Sequence, residues 1–224
     1  MSTPSRIFLI LCLFTSLIIF PISSEQALDG TTATQSGLGG PAFPVTLSSG
    51  WNLFSTPVTL DGAHSSFGAV FVPDDQPNIA VVLGWNGAQW YIPTASTEIR
   101  PLDAYYIRVA NNTTATAIVV PSSYLTIPPS RKVNAGANLI GPALPYDGNI
   151  SGFSAMPLND ALITIQDVGD LPGYATVISP GLNQPGWVYE RGGKIEELLP
   201  FRGYWVIMEN GPDTLFGFSM TPIS

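Results

Sequence analysis

The chain has 224 residues, a formal net charge of −8 and a pI near 4.3, with 45% hydrophobic but only 11% charged residues. Eight Lys and Arg scattered along so acidic a chain exclude the clustered cations that a phosphate backbone requires, so no nucleic-acid partner is expected, and an anionic membrane surface would repel the folded part. Abundant Gly (22) and Pro (21) favour turns over long helices, and one Cys with one His leaves no thiolate or multi-histidine metal site.

In chain order, residues 1–24 read as a signal peptide. Arg6 precedes an apolar run over residues 7–22, which contains Cys12, and Ser23-Ser24 provide a small-residue cleavage site. The run is shorter than the ~20 residues that span a bilayer, so the expected destination is secretion or the cell surface. Retention of this segment is the one route by which a membrane would become a partner. Residues 25–43 are small, polar and Gly-rich, a flexible leader.

The remainder carries an internal repeat. Gly50-Trp51-Asn52-Leu53-Phe54-Ser55, followed by Pro57, is matched 86 residues on by Gly136-Ala137-Asn138-Leu139-Ile140-Gly141-Pro142. Pro101-Leu102-Asp103-Ala104-Tyr105-Tyr106-Ile107 is matched 99 residues on by Pro200-Phe201-Arg202-Gly203-Tyr204-Trp205-Val206. Two blocks recurring in one order predict two β-rich modules, 44–128 and 129–222, each sandwich- or barrel-like with at most one short helix. The Gly-Xaa-Asn of the first block suits a turn with positive φ whose Asn bonds its own backbone. Tyr105 to Val109 and Tyr204 to Met208 are aromatic and β-branched runs of strand length. Between the blocks, Asn86-Gly87 and Gly192-Gly193 signal hairpins, flanked by Trp85 and Trp90 and by Trp187 and Tyr189. Residues 65–70 and 150–168 are the two helical candidates, the latter interrupted by Pro157.

This pattern, Gly-Trp-Asn-Leu-(Ile/Phe)-Ser, a Pro, a Trp-bearing hairpin and then Pro-x-x-Gly-Tyr-Trp-Val, resembles a repeat module of prokaryotic, often archaeal, secreted and surface-layer-type proteins. Copy one has Ala104 where the pattern has Gly, and copy two has Ala137 where it has Trp. The resemblance implies an envelope location and no reaction.

The expected function is therefore a non-catalytic structural or interaction protein, whose partners are other envelope proteins, glycans or further copies of itself. The alternative is carbohydrate binding through hairpin aromatics Trp90, Trp187 and Tyr189, while Trp51, Tyr105, Tyr204 and Trp205 are assigned to module cores. A secreted hydrolase would need His64 or two carboxylates converging in a cleft, but the acidic residues fall in turn contexts and His64 has no catalytic motif around it. No cofactor is expected beyond calcium, for which Asp74 and Asp75 (with Asn78) or Asp167 and Asp170 are the candidate ligands. Asn111, Asn112 and Asn149 begin N-glycosylation triplets.

Overall fold

A computed structural model describes residues 42–122, 128–144, 153–167, 172–182 and 185–217. The signal segment, the leader up to Pro41, Asn149 and Asp170 lie outside the described residues. The fold is mainly β. Its first half contains β1 (Phe43–Leu47), β2 (Gly50–Ser55), a one-turn helix α1 (Phe67–Val70), β3 (Ile79–Trp85), β4 (Trp90–Tyr91), β5 (Ala104–Val109) and β6 (Ala115–Val119). The second contains β7 (Ser130–Val133), β8 (Gly136–Ile140), β9 (Met156–Pro157), α2 (Leu158–Ala161), β10 (Tyr174–Ser179), β11 (Trp187–Glu190), β12 (Glu197–Leu198), β13 (Tyr204–Met208) and β14 (Asp213–Phe216). Pro157 caps the start of α2 rather than breaking it, a place where the missing N–H costs nothing.

Among the described residues every strand pairing is antiparallel. In the first half β1 pairs with β6, and a four-stranded sheet runs β2-β5-β3-β4. In the second, β7 pairs with β14, and a four-stranded sheet runs β8-β13-β10-β11. The order of pairing is the same. Both halves also share an irregularity, a register shift between Ile79 and Val81 against β5 and between Tyr174 and Thr176 against β13. The short β9–β12 pair is an addition of the second half.

The turns before β2 and β8 repeat atom for atom. Gly50 (φ 89°) and Gly136 (φ 86°) hold a conformation that L side chains avoid. The Asn52 side chain accepts from Ser48 N (3.1 Å) and donates to the carbonyls of Ser48 (2.7 Å) and Gly50 (3.1 Å). Asn138 does the same with Asn134 N (2.9 Å) and the carbonyls of Asn134 (2.7 Å) and Gly136 (3.1 Å).

The hairpin signals resolve differently. Asn86-Gly87 lies in the connection of β3 to β4, but the loop has four residues between the paired Trp85 and Trp90, with Asn86 Oδ1 accepting from Ala88 N and Gln89 N. Gly192-Gly193 closes a turn that joins no strand pair: β11 pairs with the preceding β10. The second-half hairpin therefore turns between Ser179 and Trp187, and its strands sit upstream of the glycines.

Alternation buries one face of each half. The first core gathers Phe54, Phe67, Phe71, Tyr105, Ile107 and Val109 with the inward side of β1 and β6, and the second gathers Ile140, Leu158, Ile165, Val177, Tyr204 and Val206. The halves then exchange one side chain each. Leu102 is buried in the second core, and Phe201 packs against the first. Both have positive φ (70° and 61°) although neither is glycine. The backbone follows suit: Ser55 N donates to Phe201 O and Gly141 N to Leu102 O, both at 3.3 Å, with bridges Phe54–Arg202 and Asp103–Ile140. Corresponding positions also meet one another. A Cβ on Gly203 would lie 2.6 Å from the Cβ of Ala104, one on Gly141 would lie 2.2 Å from the Cβ of Ser55, and Trp205 Nε1 donates to Tyr106 Oη at 2.9 Å. Contacts in which i meets j and j meets i are the mark of a two-fold arrangement. Arg131 departs from it: its guanidinium donates to Leu102 O (2.8 Å) and faces Asp103 Oδ1 (3.1 Å).

Candidate functional site

The aromatic residues fall into two groups. Tyr105 and Tyr204 are core residues, each about 1% exposed. Trp51 and Trp205 are only half-buried and join Trp85, Trp90 and Tyr106 in a cluster along the junction of the halves. Ring centroids there are 5.3 Å (Trp85–Trp90), 5.8 Å (Trp90–Trp205), 5.7 Å (Trp90–Tyr106) and 6.2 Å (Trp51–Tyr106), all edge to face. Such packing covers ring faces with ring edges. Trp85 Nε1 also donates to Ala137 O across the junction (3.0 Å).

Trp187 is elsewhere. It pairs with Ser179 as Tyr91 pairs with Gly84, so Trp187 corresponds to Tyr91 and not to Trp90. It packs on Tyr204 at 5.6 Å, against the second core. One residue of register reverses the face of a strand, which separates the two tryptophans that the sequence placed together.

The acidic residues are drawn into local bonding. Asp75 Oδ2 accepts from Thr116 N (2.8 Å), Asn78 donates to Thr114 O (2.9 Å), and Asp74 is exposed on the same turn. Among the described residues no three His, Cys, Asp or Glu side chains are grouped as a metal site would require. His64 Nδ1 lies 3.1 Å from Asp61 Oδ2 within one turn, and the adjacent Ser65 hydroxyl donates to Gly62 O. Asn111 and Asn112 are exposed in the turn after β5.

One pocket does bring two sequence candidates together. Tyr189 and Asp167 line a 240 Å³ hollow with Asn159, Gln166, Tyr174 and Arg191. The bulged end of β10 supplies Tyr174, its hairpin partner β11 supplies Tyr189, and the segment around α2 supplies Asn159, Gln166 and Asp167. Arg191 Nε bridges to Asp167 Oδ2 (3.2 Å), Nη1 to Glu209 Oε2 (3.1 Å), and Nη2 donates to Tyr174 O (3.2 Å). Asp167 Oδ1 accepts from Gly173 N (2.7 Å), and Gln166 Nε2 donates to Asn159 O. The Tyr174 phenol is pushed up to about 12, chiefly by burial, then by the nearby Tyr189 and Asp167. Asn159 Oδ1 is buried with no hydrogen-bond partner among the described residues. Sequence reasoning missed Asn159, Gln166, Tyr174 and Arg191, because spacing carries no sign that α2 and the β10–β11 hairpin converge.

Comparison with protein-family models, curated proteins and solved structures found no match to this chain.

Proposed function

We propose that this is a secreted or cell-surface protein of the envelope, non-catalytic, and built from two copies of one β module that lock into a single structural or interaction unit. The observation that supports it best is the reciprocal exchange of Leu102 and Phe201 between the cores. A pair of modules joined through their own corresponding residues makes a rigid, self-contained unit, suited to carrying load or presenting surfaces. The resemblance to surface-layer-type repeat modules and the signal-like N-terminus point the same way. On this reading the partners are envelope proteins, envelope glycans or further copies of the chain, and exposed apolar residues such as Val188 (60%) and Ile195 (48%) are the first contacts to test.

The test is sedimentation of residues 25–224 with and without cell-envelope fractions, alongside assays of polymer release from those fractions. Co-sedimentation, or concentration-dependent self-association, weakened by Val188→Ser with Ile195→Ser, is the expected result. Release of soluble envelope fragments without stable association would overturn the reading in favour of a hydrolase.

A further inference from the structure

We propose that the hollow between the β1–β2 turn and residues 200–203 binds a small monocarboxylate, its anionic head paired with Arg202 and its apolar body lying against Val45, Leu53 and Leu182. This does not rest on the envelope reading, since either stands without the other.

The charge of this hollow is unbalanced. Its volume is 290 Å³, and among the described residues its lining includes Arg202 but no Asp or Glu. Elsewhere Arg100, Arg131, Arg191 and Lys194 each have a carboxylate oxygen within 3.2 Å, while Arg108 and Lys132 are exposed to water. Arg202 is half-buried, and among the described residues its guanidinium has neither an ion pair nor a hydrogen bond; only its carbonyl is engaged, by the Ser55 hydroxyl at 2.6 Å. In a chain with 16 acidic residues to 8 basic ones, scarcity of acids does not explain this. Withdrawing a cation from water without a counter-charge is costly, and burial lowers the Arg202 guanidinium from its ordinary value.

The other half of the molecule shows which group is missing. Arg202 occupies the position in its repeat block that Asp103 occupies 99 residues earlier. Val45 occupies the position in β1 that Arg131 occupies in β7, each three residues ahead of Ser48 or Asn134, the residue held by the turn Asn. Asp103 and Arg131 line the corresponding hollow and neutralise each other at 3.1 Å, beside the pair of Glu98 with Arg100 at 2.8 Å. Around Arg202 the cation stands on the opposite side and a valine faces it. A carboxylate brought by a ligand completes the same ion pair.

The lining sets the rest of the ligand. A guanidinium fork matches the two oxygens of a carboxylate. One cation in a chain of net charge −8 balances one negative charge and leaves a dianion such as phosphate in excess. Val45, Leu53, Leu182 and Phe201 are each half-buried around it, so a hydrocarbon body removes apolar surface from water on both partners. The volume lies just below the roughly 300–1,000 Å³ of pockets for drug-sized molecules, which suits a short chain or one ring.

The experiment is ligand-observed NMR titration of the full chain at neutral pH with hexanoate, benzoate and glucuronate, against hexanamide and inorganic phosphate. Hexanoate or benzoate is expected to bind at least tenfold more tightly than hexanamide, phosphate or glucuronate. Arg202→Gln should weaken that binding at least tenfold. Val45→Glu, which supplies an internal acid where Arg131 stands in the other half, should weaken it as much, with the urea midpoint of each variant reporting that it is folded. Equal binding of hexanamide, preference for phosphate or glucuronate, or full affinity in folded Arg202→Gln or Val45→Glu would each overturn the proposal.

Discussion

At the scale of single residues, Asn52 and Asn138 show how a side chain can specify a turn. Each satisfies three backbone groups at once, and Asn138 is about 1% exposed. Changing either to Ala leaves buried donors and acceptors open, which costs ~1–3 kcal/mol apiece. Asn138→Ala is therefore expected to lower the urea midpoint clearly, and Asn138→Asp less so, because a carboxylate still accepts from Asn134 N. Both turns were legible from Gly-Xaa-Asn, since the chemistry is local. Leu102 and Phe201 were not. A positive φ on an apolar residue runs against every local preference, and it persists here because the side chain packs against the other half, Leu102 buried in its core and Phe201 partly buried against it, contacts that no window of sequence contains. Leu102→Ala should accordingly destabilise by ~2–5 kcal/mol, as a core deletion, despite its place in a loop; equilibrium unfolding reads this directly.

At the scale of elements, register decides what the strands present. The repeat blocks aligned β2 with β8 and β5 with β13 correctly, because Gly, Asn and paired aromatics mark them. Asn86-Gly87 does sit in the β3–β4 hairpin, but Gly192-Gly193 misled, because it resembles a hairpin turn yet follows a strand already paired on its upstream side. That error grouped Trp90 with Trp187 across opposite faces. Where corresponding strands meet, the demand is steric. A Cβ on Gly203 would lie 2.6 Å from both the Ala104 Cβ and Leu53 Cγ. Gly203→Ala is expected to cost ~1–3 kcal/mol by overpacking. Combining it with Ala104→Gly exchanges the methyl across the junction and should recover part of the loss, leaving the clash with Leu53. A double-mutant cycle measures the coupling; strict additivity would mean that the two positions do not meet in solution.

At the scale of the molecule, Leu102 is buried in the second core and Phe201 packs against the first, which couples the melting of the two halves. Heating is expected to give one calorimetric transition over the described halves rather than two. Alkali provides a second probe. Burial raises the phenols of Tyr105, Tyr106 and Tyr204, and that of Tyr174 to about 12. The folded chain therefore holds protons that the unfolded chain gives up near pH 10, so stability is full below pH 10 and falls as pH climbs toward 12. Tyr174→Phe should flatten that fall, read as the pH dependence of the urea midpoint. The β character was visible in the sequence because strand-forming runs recur along it, whereas the exchange and the pocket depend on which segments fold back together. The exchange also sets a rule of parity. If the module is the unit of duplication, a third copy appended to this chain would find both existing partners already taken, and its own Leu102 or Phe201 counterpart would be left without a socket. Chains of this design should grow by twos, and one extended by a single module should either dimerise through the odd copy or leave it molten, an outcome that light scattering and heat capacity would tell apart.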